Sequence, residues 1–257
     1  MFQPTSTASP SFRQAPLHAA LTADQDQASR GGIAGRLERI QGAVAMQRRI
    51  VRQGDFVYQA GKAFTHLFVV NAGMFKVVNL SRDGREQIVG LKYRGDWLGF
   101  DGIAEQCHDC DAVALDTGEV WSIPYDALLQ ASARDHALMG DVHRAMSREI
   151  ARDRNSLISV CTLPADARVA DFLGNWAAAL ADRGLRTDQV ILRMTRAEIG
   201  NYLGLTLETV SRAMSRLSRE GLIQFVDKAR RELRLHDVPA LADFVRTAVE
   251  PALPTLQ

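Results

Sequence analysis

The stretch LTLETVSRAMSRLSREG, residues 205–221, separates into two faces when wound as a helix. Val210, Ala213, Met214 and Leu217 gather on one side, and Glu208, Ser211, Arg212, Ser215, Arg216 and Arg219 on the other. The apolar side needs a core to rest on, and the polar side aligns an acid, hydroxyls and guanidinium groups along one exposed edge. The preceding residues sharpen the reading. Thr195 and Glu198 have the spacing of a capping box, so a helix begins there, with Ile199 and Leu203 as its inner stripe. Gly204 suits the left-handed position that closes a helix, and Thr206 can cap the next one. Two short helices joined by a glycine turn make a helix-turn-helix, whose second helix enters the major groove of DNA.

The side chains suit that placement. Arg212 can donate two hydrogen bonds to the N7 and O6 of guanine, Glu208 can accept from the amino group of cytosine, and Ser211 is short enough to approach a base edge. Arg196, Thr206, Thr209, Arg216 and Arg219 are assigned to phosphates. The segment LIQFVDKARRELRL, residues 222–235, alternates apolar and polar positions about a turn and reads as a two-stranded wing with Arg230 and Arg231 near its tip. The plain alternative is a solvated surface helix with i,i+4 pairs such as Glu208 with Arg212. Capping box, glycine turn and wing in succession favour the DNA reading.

The charge agrees locally and not globally. The whole chain carries a formal net charge of only +1. Between positions 193 and 234, however, Arg193, Arg196, Arg212, Arg216, Arg219, Lys228, Arg230, Arg231 and Arg234 face only Glu198, Glu208, Glu220, Asp227 and Glu232. At 257 residues the chain has room for two modest domains with cores of their own. It has no apolar run long enough for a membrane span and no apolar signal core, and its three cysteines do not suggest a disulfide framework, so a cytoplasmic protein is expected.

Upstream the texture changes twice. Residues 1–34 are rich in Ser, Thr, Ala, Gln and Pro without an apolar period and read as a flexible tail. Residues 35–128 hold short β-branched and aromatic runs punctuated by glycines, the pattern of an antiparallel jelly roll, with SRDGRE (81–86) as a hairpin tip. Residues 129–163 are assigned to a long helix. Met139, His143, Met146, Ile150, Asp153, Leu157 and Val160 recur at alternating spacings of four and three, the seam of a coiled coil. A helix packed only on its own domain is the alternative, but the strict period favours a partner helix, most simply the same helix of a second chain. Pro164 breaks it, and residues 164–257 make the DNA-binding domain, whose first helix turns Val169, Phe172, Leu173, Trp176 and Leu180 toward a core.

With these pieces in order, residues from about 35 to 240 resemble the CRP/FNR superfamily of bacterial transcription regulators. The most specific pieces are GDWLGFDGI (95–103), EIGNYLGLTLETVSR (198–212) and LSREGLI (217–223). The resemblance implies an α+β fold: a β-roll like that of cyclic-nucleotide-binding proteins, a long dimerisation helix and a C-terminal winged helix-turn-helix. ETVSR resembles the FNR branch, which implies Glu208, Ser211 and Arg212 as readers of TTGAT-like half-sites. The CRP branch has an Arg where this chain has Leu207, which cannot hydrogen-bond a base. The family further implies double-stranded DNA, a second copy of the chain and RNA polymerase as partners, with the SRDGRE hairpin as a candidate polymerase contact.

The effector is where the chain departs from its family. The Glu and Arg-Ser pair of a cyclic-nucleotide pocket align with Phe100, Cys110 and Asp111, so a phosphate would meet an acid and cAMP is not expected. The cluster-bearing members hold [4Fe–4S] with three cysteines near the N-terminus and one in the β-roll. This tail has none, and the β-roll position is Trp121, so that cluster is not expected either. CHDC, with Cys107, His108 and Cys110, could bind a metal or cycle as a disulfide, but it lacks the second ligand pair of a zinc site, and two ordinary loop cysteines are the plainer reading. Cys161 reads as a small packed residue. No cofactor is expected, with haem or another effector left open. A redox- or gas-responsive regulator using Cys107 and Cys110 is the alternative within this class. A thiol or metal enzyme built on CHDC is the alternative outside it, and no His–carboxylate constellation of recognisable spacing accompanies those cysteines.

Overall fold

The computed structural model describes residues 33–81 and 83–249. The expected tail up to residue 32 therefore lies outside the described residues. The glycine-punctuated region folds as two four-stranded antiparallel sheets. β1 (Gln47–Val51), β8 (Gly118–Pro124), β3 (His66–Ala72) and β6 (Trp97–Leu98) form one, in that order. β2 (Phe56–Tyr58), β7 (Cys110–Ala114), β4 (Phe75–Leu80) and β5 (Glu86–Lys92) form the other. Val51, Val57, Phe68, Val70, Phe75, Leu98, Ala112 and Val120 meet between them. The expected hairpin joins β4 to β5, with Ser81 N–H donating to the Arg85 carbonyl across the tip at 2.9 Å.

Three helices pack on the roll. α1 (Ile33–Ala43), which the sequence reading did not anticipate, buries Leu37 and Ile40, joined by Val44 just beyond it, against Trp97, Trp121 and Ile123. α2 (Tyr125–Ser132) is separate from the long helix α3 (His136–Thr162). The single helix assigned from 129 is thus interrupted, because the Asp135 carboxylate accepts from Ala137 N–H at 2.9 Å and starts a new helix there. Leu138, Val142 and Ala145 bury the first half of α3 on the roll.

After Pro164 the C-terminal domain comprises α4 (Ala165–Ala181), β9 (Gln189–Ile191), α5 (Arg196–Leu203), α6 (Leu207–Arg219), β10 (Ile223–Phe225), β11 (Glu232–Leu235) and α7 (Val238–Val249). The wing has three strands, ordered β10-β11-β9, where two were expected: Val190 pairs with Leu233. Its core does not stop at the domain edge. Met74, Val78, Ile88 and Leu115 of the β-roll join Phe172, Leu173, Trp176, Leu192 and Met214 in one apolar cluster. Among the described residues no helix is long and apolar enough to cross a membrane.

Candidate nucleic-acid interface

α5 begins as its residues require. Thr195 Oγ1 accepts from Glu198 N–H at 3.1 Å, and Glu198 Oε2 accepts from Thr195 N–H at 2.8 Å, completing the capping box. Burial opposes ionisation of Glu198, but Lys76, whose ammonium lies 2.7 Å from Oε1, and the Thr195 donors outweigh it and hold the carboxyl below the usual range. Stability from such a group is complete above the ordinary carboxylate range and disappears as the pH falls through its lowered folded value. Glu198→Ala is therefore expected to cost about 1 kcal/mol at pH 7. Urea unfolding should show that difference shrinking as the pH falls below the ordinary carboxylate range, and a pH-independent difference would remove the carboxylate from the account.

The turn to α6 is tight. Gly204 closes α5 in the left-handed region, with φ 65°. Gly200 has no room for a side chain, since a Cβ there would lie 2.6 Å from the Leu205 carbonyl oxygen. The backbone of α5 touches the turn that leads into α6 at this point. Thr206 then caps α6, accepting from Thr209 N–H at 3.2 Å. Val210, Ala213, Met214 and Leu217 are buried, as their spacing demands.

The opposite edge lies open. Glu208 and Arg212 are exposed and Ser211 is half-buried. The Glu208 carboxyl is held below its ordinary range by its own backbone N–H and the Thr206 hydroxyl, so at neutral pH it only accepts hydrogen bonds, as contact with a cytosine amino group requires. The nearest partner of the Arg212 guanidinium is Thr209 Oγ1, at 3.4 Å. One helix edge thus carries a donor fork and an acceptor, with a hydroxyl beside them.

The side chains assigned to phosphates are more dispersed. Thr206 and Thr209 lie at the α6 N-terminus with their hydroxyls 3.0 Å apart. Arg219 is exposed. Arg216 is held by Asp166 at 2.6 Å and Glu220 at 2.8 Å, over the ring of Phe244, and braces α6 against α4 and α7. Arg196 is held at the wing, donating to the Arg230 carbonyl at 2.8 Å beside the ring of Phe225, on which Arg230 also stacks. It ties α5 to the wing tip. Sequence reasoning missed Arg168, whose guanidinium donates to Leu203 O at 2.8 Å and Leu163 O at 3.0 Å and so joins the end of α5 to the hinge after α3. Its carbonyl partners leave no trace in a pattern of side chains.

On α3 the seam residues divide. Met139, Met146 and Val160 are half-buried, whereas His143, Ile150, Asp153 and Leu157 face solvent, Leu157 with 63% of its surface exposed. A groove of about 440 Å³ runs among His143, Met146, Ser147, Ile150, Ala151 and Arg154.

The β-roll turn aligned with nucleotide pockets holds mostly its own side chains. Phe100 stacks on Trp97, and Asp111 accepts from Ala60 N–H at 2.7 Å. Asp101 accepts from the Tyr58 hydroxyl at 3.1 Å and from the amides of Asp109 and Cys110. His108, only 3% exposed, stacks on Tyr58 at 3.9 Å with Nδ1 3.5 Å from Asp101 Oδ2. All three cysteines are free, and burial with Asp101, Asp109 and Asp111 nearby pushes the Cys110 thiol up to about 11. Cys161 is exposed rather than packed, because α3 leaves that face uncovered. Among the described residues no three His, Cys, Asp or Glu side chains converge as a metal site. Trp121 is buried, its indole N–H donating to Glu119 at 2.7 Å.

Comparison with known proteins agrees with this anatomy. Residues 167–244 match the Crp-like helix-turn-helix domain and residues 48–135 the cyclic nucleotide-binding domain. The chain is 35% identical over 202 residues to Electron transport regulator A of Shewanella oneidensis, covering 79% of this chain and 81% of that one. It is 36% identical over 180 residues to Transcriptional activator protein Anr of Pseudomonas protegens, covering 70% and 74%. Among solved structures, FixK2 from Bradyrhizobium japonicum superposes with a TM-score of 0.69 at 25% identity, over 82% of this chain and 100% of that one. Relatives of this kind regulate transcription and are not enzymes. The chain belongs to the CRP/FNR family of DNA-binding transcription regulators.

Proposed function

We propose that the protein acts in the cytoplasm as a homodimer that reads TTGAT-like inverted repeats through Glu208, Ser211 and Arg212 and activates transcription. The open edge of α6 supports the reading: it carries an exposed guanidinium and an ionised carboxylate, the donor and acceptor types that major-groove contacts use. The solvent-facing stripe of α3 supports the dimer, since Ile150, Leu157 and the groove beside them would be covered by the same stripe of a second chain. The exposed tip of the β4–β5 hairpin is the surface offered to RNA polymerase, by analogy with the family. Footprinting with stoichiometric titration tests this reading. Two chains per duplex and symmetric protection of both half-sites are expected, and one chain per site would refute it.

Asp153 should work against self-association. It lies on the stripe between Ile150 and Leu157, and although the residue faces solvent, desolvation of its carboxyl by the surrounding side chains already holds it above the ordinary range. Lys92 and Arg152 offset part of that effect, although their closest partners are Glu149 at 2.5 Å and Asp96 at 2.9 Å, and Arg154 flanks it on the other side. Covering it with a second chain brings two carboxylates together. Asp153→Ala should therefore tighten the dimer several-fold, on the order of 1 kcal/mol, in sedimentation equilibrium. Equal or weaker association would place Asp153 outside the seam.

The sensor residues do not fit the two effectors best known for the family. A cyclic nucleotide's phosphate would meet Asp101 and Asp111, with His108 and Tyr58 already stacked beside that turn. We infer that the protein also carries no [4Fe–4S] cluster, with Trp121 where the β-roll ligand would stand. The raised pKa of the Cys110 thiol argues against Cys110 as a ready nucleophile. Protein purified without oxygen should contain no stoichiometric iron or sulfide and should bind DNA in air. Cluster-equivalent iron would overturn this.

A further inference from the structure

We propose that Asn201 and Lys76 are positioning residues for DNA reading, through which the edge strand of the β-roll grips α5 and fixes the recognition helix relative to the dimer helix. The inference rests on the palindrome-reading dimer proposed above. β5 is the last strand of its sheet, so its outward N–H and C=O groups have no neighbouring strand. Asn201 supplies what a strand would. Its Oδ1 accepts from Ile88 N–H at 2.6 Å and its Nδ2 donates to the Glu86 carbonyl at 2.7 Å. A carboxamide carries the same donor and acceptor as a peptide group, so this one side chain continues the ladder. The Gln87 amide returns a bond to the Asn201 carbonyl. One turn earlier on α5, Glu198 takes the Lys76 ammonium of β4 at 2.7 Å.

Each side of the grip is tied to its neighbours. The backbone of α5 at Gly200 presses on the Leu205–Thr206 turn that starts α6, the two helices pack together, and Arg168 ties Leu203 to the hinge, so holding α5 holds α6. On the roll, Lys92 at the end of β5 pairs with Glu149 of α3. Asp96 accepts from Arg152 of α3 and from Arg183 beyond α4, at 2.9 and 3.0 Å. A continuous path therefore runs from the α3 seam through β5 and Asn201 to the reading edge. The grip does not cover that edge. α6 packs on α4, α5 and β10, and Glu208 and Arg212 stay exposed. Its effect is to orient the reading head rather than to mask it.

A dimer whose heads are held at one separation should discriminate half-site spacing, and loosening the heads should erase that discrimination while sparing each head's own contacts. The test compares full-length wild type, Asn201→Ala, Asn201→Asp and Lys76→Ala on three duplexes: the TTGAT inverted repeat, the same repeat with a few base pairs inserted at its centre, and a single half-site. Asn201→Ala is expected to lose about tenfold on the intact repeat, as the fraction of heads in reading position falls, with single-site affinity unchanged. Its preference for correct spacing should shrink by a similar factor. Asn201→Asp keeps the acceptor and loses the donor, so it should fall between. Lys76→Ala changes a β-roll side chain, releases Glu198 of α5 and should act in the same direction. Unchanged spacing preference in all three variants would overturn the proposal, as would an equal loss on the single site, which would signify damage to the head. Tighter binding would also overturn it, because the grip would then hold the head away from DNA. A wild type with no preference for the repeat fails the dimer reading itself and is distinguishable from these outcomes, which appear only in the variants.

Discussion

Arg212→Ala is expected to leave the protein able to bind DNA weakly and unable to choose among sequences. The guanidinium is exposed on the open edge of α6, with the Thr209 hydroxyl at 3.4 Å as its hydrogen-bond partner. A bidentate contact with guanine is worth about 1–3 kcal/mol of discrimination, and a dimer makes it twice, so selectivity should fall on the order of 100-fold or more. Non-specific affinity should survive, because Arg219 and the wing arginines keep their charge, and it should remain strongly salt-dependent. Competition binding between the inverted repeat and a shuffled duplex measures this. Unchanged selectivity would mean that another element reads the bases.

Trp176→Ala should cause the largest loss of stability. The indole is 4% exposed and meets Phe172 edge-on at 5.4 Å within its own domain. It also meets Tyr93, just beyond β5, at 6.3 Å, so one side chain fills the place where the two domains share a core. Removing it deletes apolar area and leaves a cavity that both sides border, a loss of about 3–5 kcal/mol. Because the core is continuous, wild type should unfold in a single transition in urea, whereas the variant should release its DNA-binding domain first. A loss below about 1 kcal/mol would show that the domains do not share this core as described.

The sequence announces what local rules control. Thr195, Glu198, Gly204 and Thr206 declare two helices and the turn between them through backbone chemistry that acts over a few residues. The β-roll is readable from its glycines and from the Asp-Gly hairpin for the same reason. The features that escaped depend on distant partners. α1 has only a sparse apolar stripe and forms because Leu37 and Ile40 find the roll and α3. β9 is three residues long and becomes a strand only because β11 lies beside it. Arg216 reads as one more basic residue on a polar edge, but Asp166, 50 positions away, claims it. Arg196 is likewise claimed by a carbonyl at the wing tip. Asn201 looks like an ordinary polar position until β5 is seen to end its sheet with unpaired groups.

The central claim is that α6 reads sequence. The most direct measurement titrates the full-length protein against a TTGAT inverted repeat and against the same duplex with shuffled half-sites, across a range of salt concentrations. The expected result is a preference of at least about 10³-fold for the repeat, with log K for both duplexes falling linearly as log salt rises. Equal affinity for the two duplexes at every salt concentration would contradict it.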